Sequence, residues 1–398
     1  MSGAAQPLAG VRVLAVEQYG AAPYGTMFLA QLGADVVKVE NPQGGDTARA
    51  VGPHYLAEGD SLYFQTFNLN KRSLALDLKA PDGRALFRRL AERADAVVNN
   101  LRGDLPAKLG IDFPSLSEVN PAIVCAHISA YGRTGERATW PGYDYLMQAE
   151  AGFLHLTGEP GTPPSRFGLS MVDFMTGTTA MVGLLAALLD AKRTGQGRDV
   201  DVDLLSAALH QLSYPGIWYM NEGDVTPRVP RSAHPYVTPS QLFRTADGWI
   251  FVMAQLPKFW TVLCDALARP DLLADPRFAT PAARLANRDT LTELLDEEFE
   301  AQPTEHWFAL LGGRMPVAPV RTLPDALDNP FLDAIGIRAR VDHPMRNGVH
   351  VLTSPIRIDG ERLPARAGPE LGADTDAILD ELGLDSGEIA RLRADGIV

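Results

Sequence analysis

In SRFGLSMVDFMTGTTAMVGLLAALLDAKR, residues 165–193, one acid stands where a short strand-like apolar run, Phe167–Val172, meets a long apolar helical pattern. That acid is Asp173. At a helix start, an aspartate side chain accepts backbone N–H groups that have no partner inside the helix. The positive end of the helix dipole also favours its ionised form. Gly177, one turn on, is read as clearing space beside the carboxylate for something bulky. Two readings stay open from this window: a structural cap on a buried helix, or a preorganised carboxylate nucleophile.

The other chemistry-bearing residues fall at predicted strand ends. Asn99, Asn100 and Arg102 follow one apolar run, and Lys38 and Lys79 lie in or just after two others. A lone cation at such a place is ordinarily a solvated surface residue, but clustering at several strand ends suggests a positive pocket. Asp199, Asp201 and Asp203 alternate on one strand face, with no histidine or further acid spaced to complete a metal site; a solvated face is expected. The chain has no P-loop, HExxH, CxxC or GxSxG. What remains is one carboxylate acting on a ligand that brings its own reactive group. A thioester is such a ligand, because a carboxylate attacks it to give an acyl anhydride and a thiolate.

The elements that must position these groups read as α/β. Val11–Val16 is a buried strand, Gly20–Leu32 a turn and helix, and Asp35–Glu40 a second strand, so the opening is βαβ and predicts a parallel, Rossmann-like sheet. The dinucleotide fingerprint is absent after the first strand, which disfavours NAD or FAD. The GAAPYG turn there has small residues and free amides, suited either to an anionic ligand or to close helix–strand packing. Strands follow at Ser73–Leu78, Ala96–Asn100 and Ile123–Ile128, with a helix at Asp82–Arg93. Segments 131–145 and 157–168 are Gly/Pro-rich loops that would wall the Asp173 segment. After a Pro-, Arg- and aromatic-rich linker at 214–239, a hairpin pairs Ser240–Thr245 with Trp249–Ala254. Helices Phe259–Leu267, Thr290–Phe299 and Thr304–Leu311 follow, then strands Arg338–His343 and Val351–Ile358, and closing helices Thr375–Glu381 and Ser386–Asp395.

At 398 residues two lobes are expected. A formal charge of −13 without a basic run disfavours nucleic acid and anionic membranes as partners. The apolar stretch Met181–Leu189 is short for a bilayer, and Cys125 and Cys264 read as buried thiols of a reducing compartment. The start MSGAAQPLAG lacks the pattern of a secretory signal, so a cytoplasmic location is expected.

Several runs taken together resemble the family III CoA-transferases, the group of formyl-CoA and carnitine CoA-transferases (CaiB/BaiF type). They are LAGVRVLAVEQYGAAPYGTMFLAQLGADVVKVE, GGDTAR, NLNKRSLALDLK, GYDYLMQAEAG, SMVDFMTG and TGQGRDVDVDLLSAAL, with weaker similarity to the ending ELGADTDAILDELGL. The resemblance covers essentially the whole chain and implies that Asp173 is the catalytic aspartate. It carries CoA contacts onto Gly20, Ala21, Leu76, Lys79, Asn100, Leu101, Arg102 and Lys108, with Tyr143 and Asp144 beside the thioester. Asn41 stands where some relatives have arginine. The resemblance further implies an interlocked homodimer, with a discontinuous CoA-binding α/β domain (1–225 plus 330–398) and a smaller α+β domain (226–329). Coenzyme A or acyl-CoA enters as substrate, with no permanently bound cofactor and no metal.

The implied reaction moves CoA from an acyl-CoA to a carboxylate acceptor through anhydride and aspartyl-CoA thioester intermediates. Backbone amides near Ala254–Gln255 are candidate oxyanion donors. Arg228, Arg231, His234 and Lys258 are candidates for holding a second carboxylate, since relatives use succinate, itaconate or mesaconate. Transfer within one diacid, formally an isomerase of the mesaconyl-CoA type, is the alternative. An α-methylacyl-CoA racemase fits less well, because Tyr143 stands between Gly142 and Asp144 where racemases carry histidine.

Overall fold

The computed structural model describes residues 6–398. Its centre is a six-stranded sheet: β1 (Arg12–Val16), β2 (Asp35–Glu40), β3 (Arg72–Ala75), β4 (Ala96–Asn99), β5 (Val124–Ser129) and β6 (Arg198–Asp203). All neighbours are parallel and the order is β3-β2-β1-β4-β5-β6. This is the doubly wound Rossmann order, whose direction reverses between β1 and β4 and leaves a crevice at the carboxyl ends of those two strands. β4 and β5 are buried along their whole length, as parallel strands covered on both faces must be.

Helix α1 (Ala21–Gln31) joins β1 to β2, and α2 (Pro81–Ala91) joins β3 to β4. The short α3 (Asp144–Glu150) begins in the last two residues of the loop read over 131–145. The long α4 (Met171–Thr194) packs on α1, β5 and β6. Phe167–Val172 is no strand, since helix α4 begins at Met171. Its 24 residues are long and apolar enough to cross a membrane, which corrects the shorter reading of Met181–Leu189; 44% of its most apolar window is buried. The added length comes from residues 171–180, where threonine and glycine dilute the apolar pattern without interrupting the helix, and from the polar last turn at 190–194.

The chain divides into two compact units, 1–151 with 167–212 and 331–398, and 152–166 with 213–330. The second unit holds α5 (Ser213–Glu222), β7 (Ser240–Arg244), β8 (Trp249–Met253), α6 (Pro257–Ala266), α7 (Arg288–Phe299), α8 (Thr304–Leu311) and β9 (Val317–Pro319). The expected hairpin is present, and β9 adds a third antiparallel strand in a stretch where the sequence reading places no element. Its core is Phe243, Ile250, Trp260, Leu263, Leu295, Phe299 and Trp307 among others. Segment 152–166 joins this unit because the Arg228 guanidinium donates to the carbonyls of His155 (2.7 Å) and Thr162 (3.0 Å).

The chain then returns to the first unit. The predicted strand at Val351–Ile358 is instead Arg346–Leu352, paired with Arg338–His343. The closing helices α9 (Thr375–Glu381) and α10 (Ser386–Ala394) complete the core beside β3. There Ala75 N–H donates to Thr375 Oγ1 (3.0 Å) and Ser73 N–H to Asp374 Oδ2 (2.9 Å).

Candidate active site

The crevice floor is made where two strands run out. After β1 the chain continues as Glu17–Gln18–Tyr19–Gly20 into α1, and after β4 as Asn100–Leu101–Arg102. Asn100 fastens the two together: its side chain accepts the Gln18 N–H (2.9 Å) and donates to the Gln18 carbonyl (2.6 Å). Tyr19 adopts a left-handed backbone (φ 68°), which turns the chain so that Gly20 becomes the N-cap of α1.

Asp173 faces that turn from α4. A Cβ placed on Gly20 would sit 2.4 Å from Asp173 Oδ2, so only glycine lets the carboxylate lie there. Gly177 does a different job from the one expected. Its missing Cβ would meet the Ala21 carbonyl at 2.2 Å, and that of Gly25 would meet the Gly177 carbonyl at 2.7 Å. The two glycines let α1 and α4 cross closely, which brings Gly20 and Asp173 together.

Asp173 is not the cap of its helix. The N-cap is Ser170, which makes no side-chain capping bond, and Asp173 lies within the first turn. The orphan amide of Asp173 is instead accepted by Asp144 Oδ2 (3.0 Å). Asp144 is buried, and its other oxygen accepts from Gln148 Nε2 (2.6 Å). Gln148 also accepts the Phe167 N–H (2.9 Å), tying the loop before α4 into the same cluster. The shift of its pKa likewise runs against the helix-dipole expectation. Burial, and then the adjacent Asp144 charge, push the Asp173 carboxyl up to about 7. A helix start favours a charge by only ~0.3–1 kcal/mol when exposed, less than desolvation takes away here.

Gly20, Ala21, Asn100, Leu101, Arg102, Tyr143 and Asp173 all line one cleft of about 310 Å³. Leu76, Lys79 and Leu101 line a second of about 380 Å³, which shares Gln18 and Leu101 with the first. Lys108 is exposed and pairs with Asp104 (2.5 Å), which also receives Arg102 (2.6 Å). Those hydrogen bonds, Arg102 first, hold the Asp104 carboxyl below its usual range. Lys38 and Asn99 do not reach the ligand edge. Lys38 is fully buried against Asp46 (2.8 Å), and Asn99 is buried with its amide on His127 Nδ1 (2.7 Å), because both side chains lie within the covered sheet.

The alternating acids of β6 are engaged. Asp199 binds His127 (2.9 Å) and Arg133 (3.0 Å), and Asp203 caps the next helix through Ser206 N–H (2.7 Å). Among the described residues no group of three or more His, Cys, Asp or Glu side chains is placed to hold a metal ion.

In the second unit the Ala254 amide is already donated to the Pro239 carbonyl (2.9 Å), which removes it as an oxyanion donor. Arg228 is committed to backbone carbonyls, and Arg231 places one guanidinium nitrogen, Nη1, on Asp296 (2.5 Å).

Apart from Tyr143, the aromatic wall escaped sequence reading. Tyr19 lies 5.6 Å from Tyr63 and 6.4 Å from Tyr143, edge to face. Burial first, and then the neighbouring Tyr19 and Asp173 charges, raise the Tyr63 phenol. Trp140 lines the first cleft too. No spacing rule marks such residues, because three of the four come from different loops or helices and meet only in the fold.

Comparison with known proteins agrees with this geometry. Residues 8–375 match the model of CoA-transferase family III. The succinate–glutarate CoA-transferase of Agrobacterium fabrum is 33% identical over 383 residues, covering 94% of this chain and 96% of that one. The succinyl-CoA:mesaconate CoA-transferase of Haloarcula marismortui is 36% identical over 388 residues, covering 95% and 96%. The crystal structure of a CaiB/BaiF family protein from Brucella suis superposes with a TM-score of 0.83 at 33% identity, over 95% of this chain and all of that one. With a carboxylate at the switch point of a Rossmann-ordered sheet and a family match spanning nearly its whole length, the chain belongs to CoA-transferase family III.

Proposed function

We propose that this CoA-transferase moves CoA between small dicarboxylic acids, with Asp173 as the nucleophile. The Asp173 carboxylate attacks the acyl-CoA carbonyl, the C–S bond breaks, and CoA thiolate leaves behind a mixed anhydride. The thiolate then attacks the aspartyl carbonyl, releasing the donor acid and leaving an aspartyl-CoA thioester. The acceptor carboxylate displaces CoA to give a second anhydride. Attack of CoA on its acyl carbonyl yields the new acyl-CoA and free Asp173. Succinate, glutarate and mesaconate, the acids in the names of the two relatives, are the first donors and acceptors to try. The intramolecular alternative needs the same nucleophile and differs only in whether the acceptor is tethered.

The observation that carries this reading is the Asp173 carboxylate pressed against Gly20 in the cleft wall. We assign the connected clefts to CoA, with Gly20, Ala21, Leu76, Lys79, Asn100, Leu101 and Tyr143 along its path. Arg102, Lys79 and Lys108 serve as cations for its phosphates. Asp144, being buried, sets the environment of Asp173. We also infer a homodimer, since α4 leaves Val182 (67%) and Leu189 (74%) exposed. A cytoplasmic location accords with the free thiols of Cys125 and Cys264.

The test is covalent. Wild-type protein incubated with succinyl-CoA should carry an acyl or CoA adduct on the peptide containing Asp173, and Asp173→Ala should lose both adduct and exchange. Full exchange by Asp173→Ala would sink the nucleophile.

A further inference from the structure

Asp46 follows β2 in the sequence GGD and is almost wholly buried, 3% exposed. Its Oδ1 accepts the N–H of Tyr19 (3.0 Å) and of Ala48 (2.8 Å), and its Oδ2 faces Lys38 Nζ (2.8 Å). Lys38 in turn donates to the Glu17 carbonyl (3.0 Å). The Glu17 carboxylate is held by Lys71 (2.6 Å), which also donates to the Pro23 carbonyl (2.9 Å). Buried charges thus grip the chain on both sides of the Tyr19–Gly20 turn, and Asn100 grips Gln18 between them.

Charges are costly to bury, and a non-glycine residue with positive φ persists only where its surroundings over-determine it. Both devices converge on the peptide whose glycine abuts the Asp173 carboxylate. Without Asp46, the Tyr19 N–H would be orphaned and its backbone free to relax to negative φ. Gly20 would then swing relative to Asp173, and displacements of that kind at a reacting centre cost about a hundredfold in rate.

We propose that Asp46 is a positioning residue for CoA transfer: by accepting the Tyr19 N–H it fixes the left-handed turn that sets Gly20 against the nucleophile. It acts through Tyr19 and not by contact with the reacting carbon. The proposal rests on Asp173 being the nucleophile.

The test separates the acceptor from the buried charge. Lys38→Met/Asp46→Leu replaces the ion pair with apolar groups of similar volume, an exchange that proteins commonly tolerate, and removes the acceptor. Lys38→Met/Asp46→Asn is equally uncharged but keeps an oxygen for the Tyr19 N–H. The leucine variant should bind CoA within about threefold of wild type by calorimetry, while its kcat and its rate of adduct formation on the Asp173 peptide fall about a hundredfold. The asparagine variant should recover at least tenfold of that kcat. Equal kcat in the two variants, or a leucine variant whose loss is entirely weaker CoA binding, overturns the proposal. A wild-type protein that exchanges CoA yet forms no adduct removes the nucleophile reading and overturns the proposal with it, whereas adduct formation with equal kcat in the two variants overturns the proposal alone.

Discussion

The Asp173 carboxyl carries two opposed demands. It must be ionised to attack a thioester, yet burial and Asp144 hold it at about 7. The acid limb of kcat/KM, which reports the free enzyme, should therefore fall as pH drops through about 7. Asp144→Asn removes the repelling charge while leaving an oxygen for the Asp173 N–H, so its acid limb should move to lower pH in an initial-rate profile. An unmoved limb would mean that Asp144 does not tune the nucleophile. The same shift has a consequence for stability. A carboxyl whose folded pKa lies above its unfolded value favours folding below the unfolded pKa, and that contribution is lost as pH rises through about 7. Asp173→Asn, which cannot ionise, should therefore melt higher than wild type at pH 8 and show little difference at pH 4. Sequence pattern located this acid and left a cap and a nucleophile both open; only the cap reading fails, because the N-cap is Ser170. Asp144 supplies the capping, from 29 residues away, and no window around Asp173 contains that information.

At the scale of elements, the site depends on how closely α1 crosses α4. A methyl group at Gly177 would meet the Ala21 carbonyl at 2.2 Å, a backbone contact with no flexible end to yield. Gly177→Ala should lose about 1–3 kcal/mol in urea unfolding, the usual range for overpacking. Gly20→Ala is a different kind of lesion, because its methyl meets the far end of a side chain, Asp173 Oδ2 at 2.4 Å. It should stay folded and lose kcat about a hundredfold, since the carboxylate must move off its mark. A Gly20→Ala enzyme with wild-type kcat would show that the tight approach is dispensable. The strands and helices that hold these glycines were legible because apolar periodicity is local: Asp35–Glu40 and Thr304–Leu311 match to the residue. The failures are equally physical. Strand β9 is three residues among prolines, α3 is one short helix fixed by tertiary contacts, and α5 lies in a proline- and aromatic-rich stretch that masks its period. Gly177 was visible as a glycine but not as a crossing, since the backbone it meets belongs to another helix.

At the scale of the molecule, apolar surface is left over. On α4, Val182 is 67% and Leu189 74% exposed, and Leu209 is 48% exposed on the helix that follows β6. In the second unit α5 leaves Ile217, Tyr219 and Met220 more than half exposed. Burying a valine or leucine side chain is worth ~1.5–3 kcal/mol, so a surface of this kind carries enough driving force for association. An acidic chain of net charge −13 is poorly suited to anionic bilayers, which leaves a second copy of the chain as the occupant we infer. Light scattering behind a sizing column should then report twice the 43.0 kDa of one chain. Val182→Lys/Leu189→Lys places two charges where α4 would be covered, which strands them without water in an assembled dimer. That variant should elute at the mass of one chain and unfold at lower temperature. A wild-type enzyme of single-chain mass that still exchanges CoA would show that α4 needs no partner, and that the site is complete in one copy.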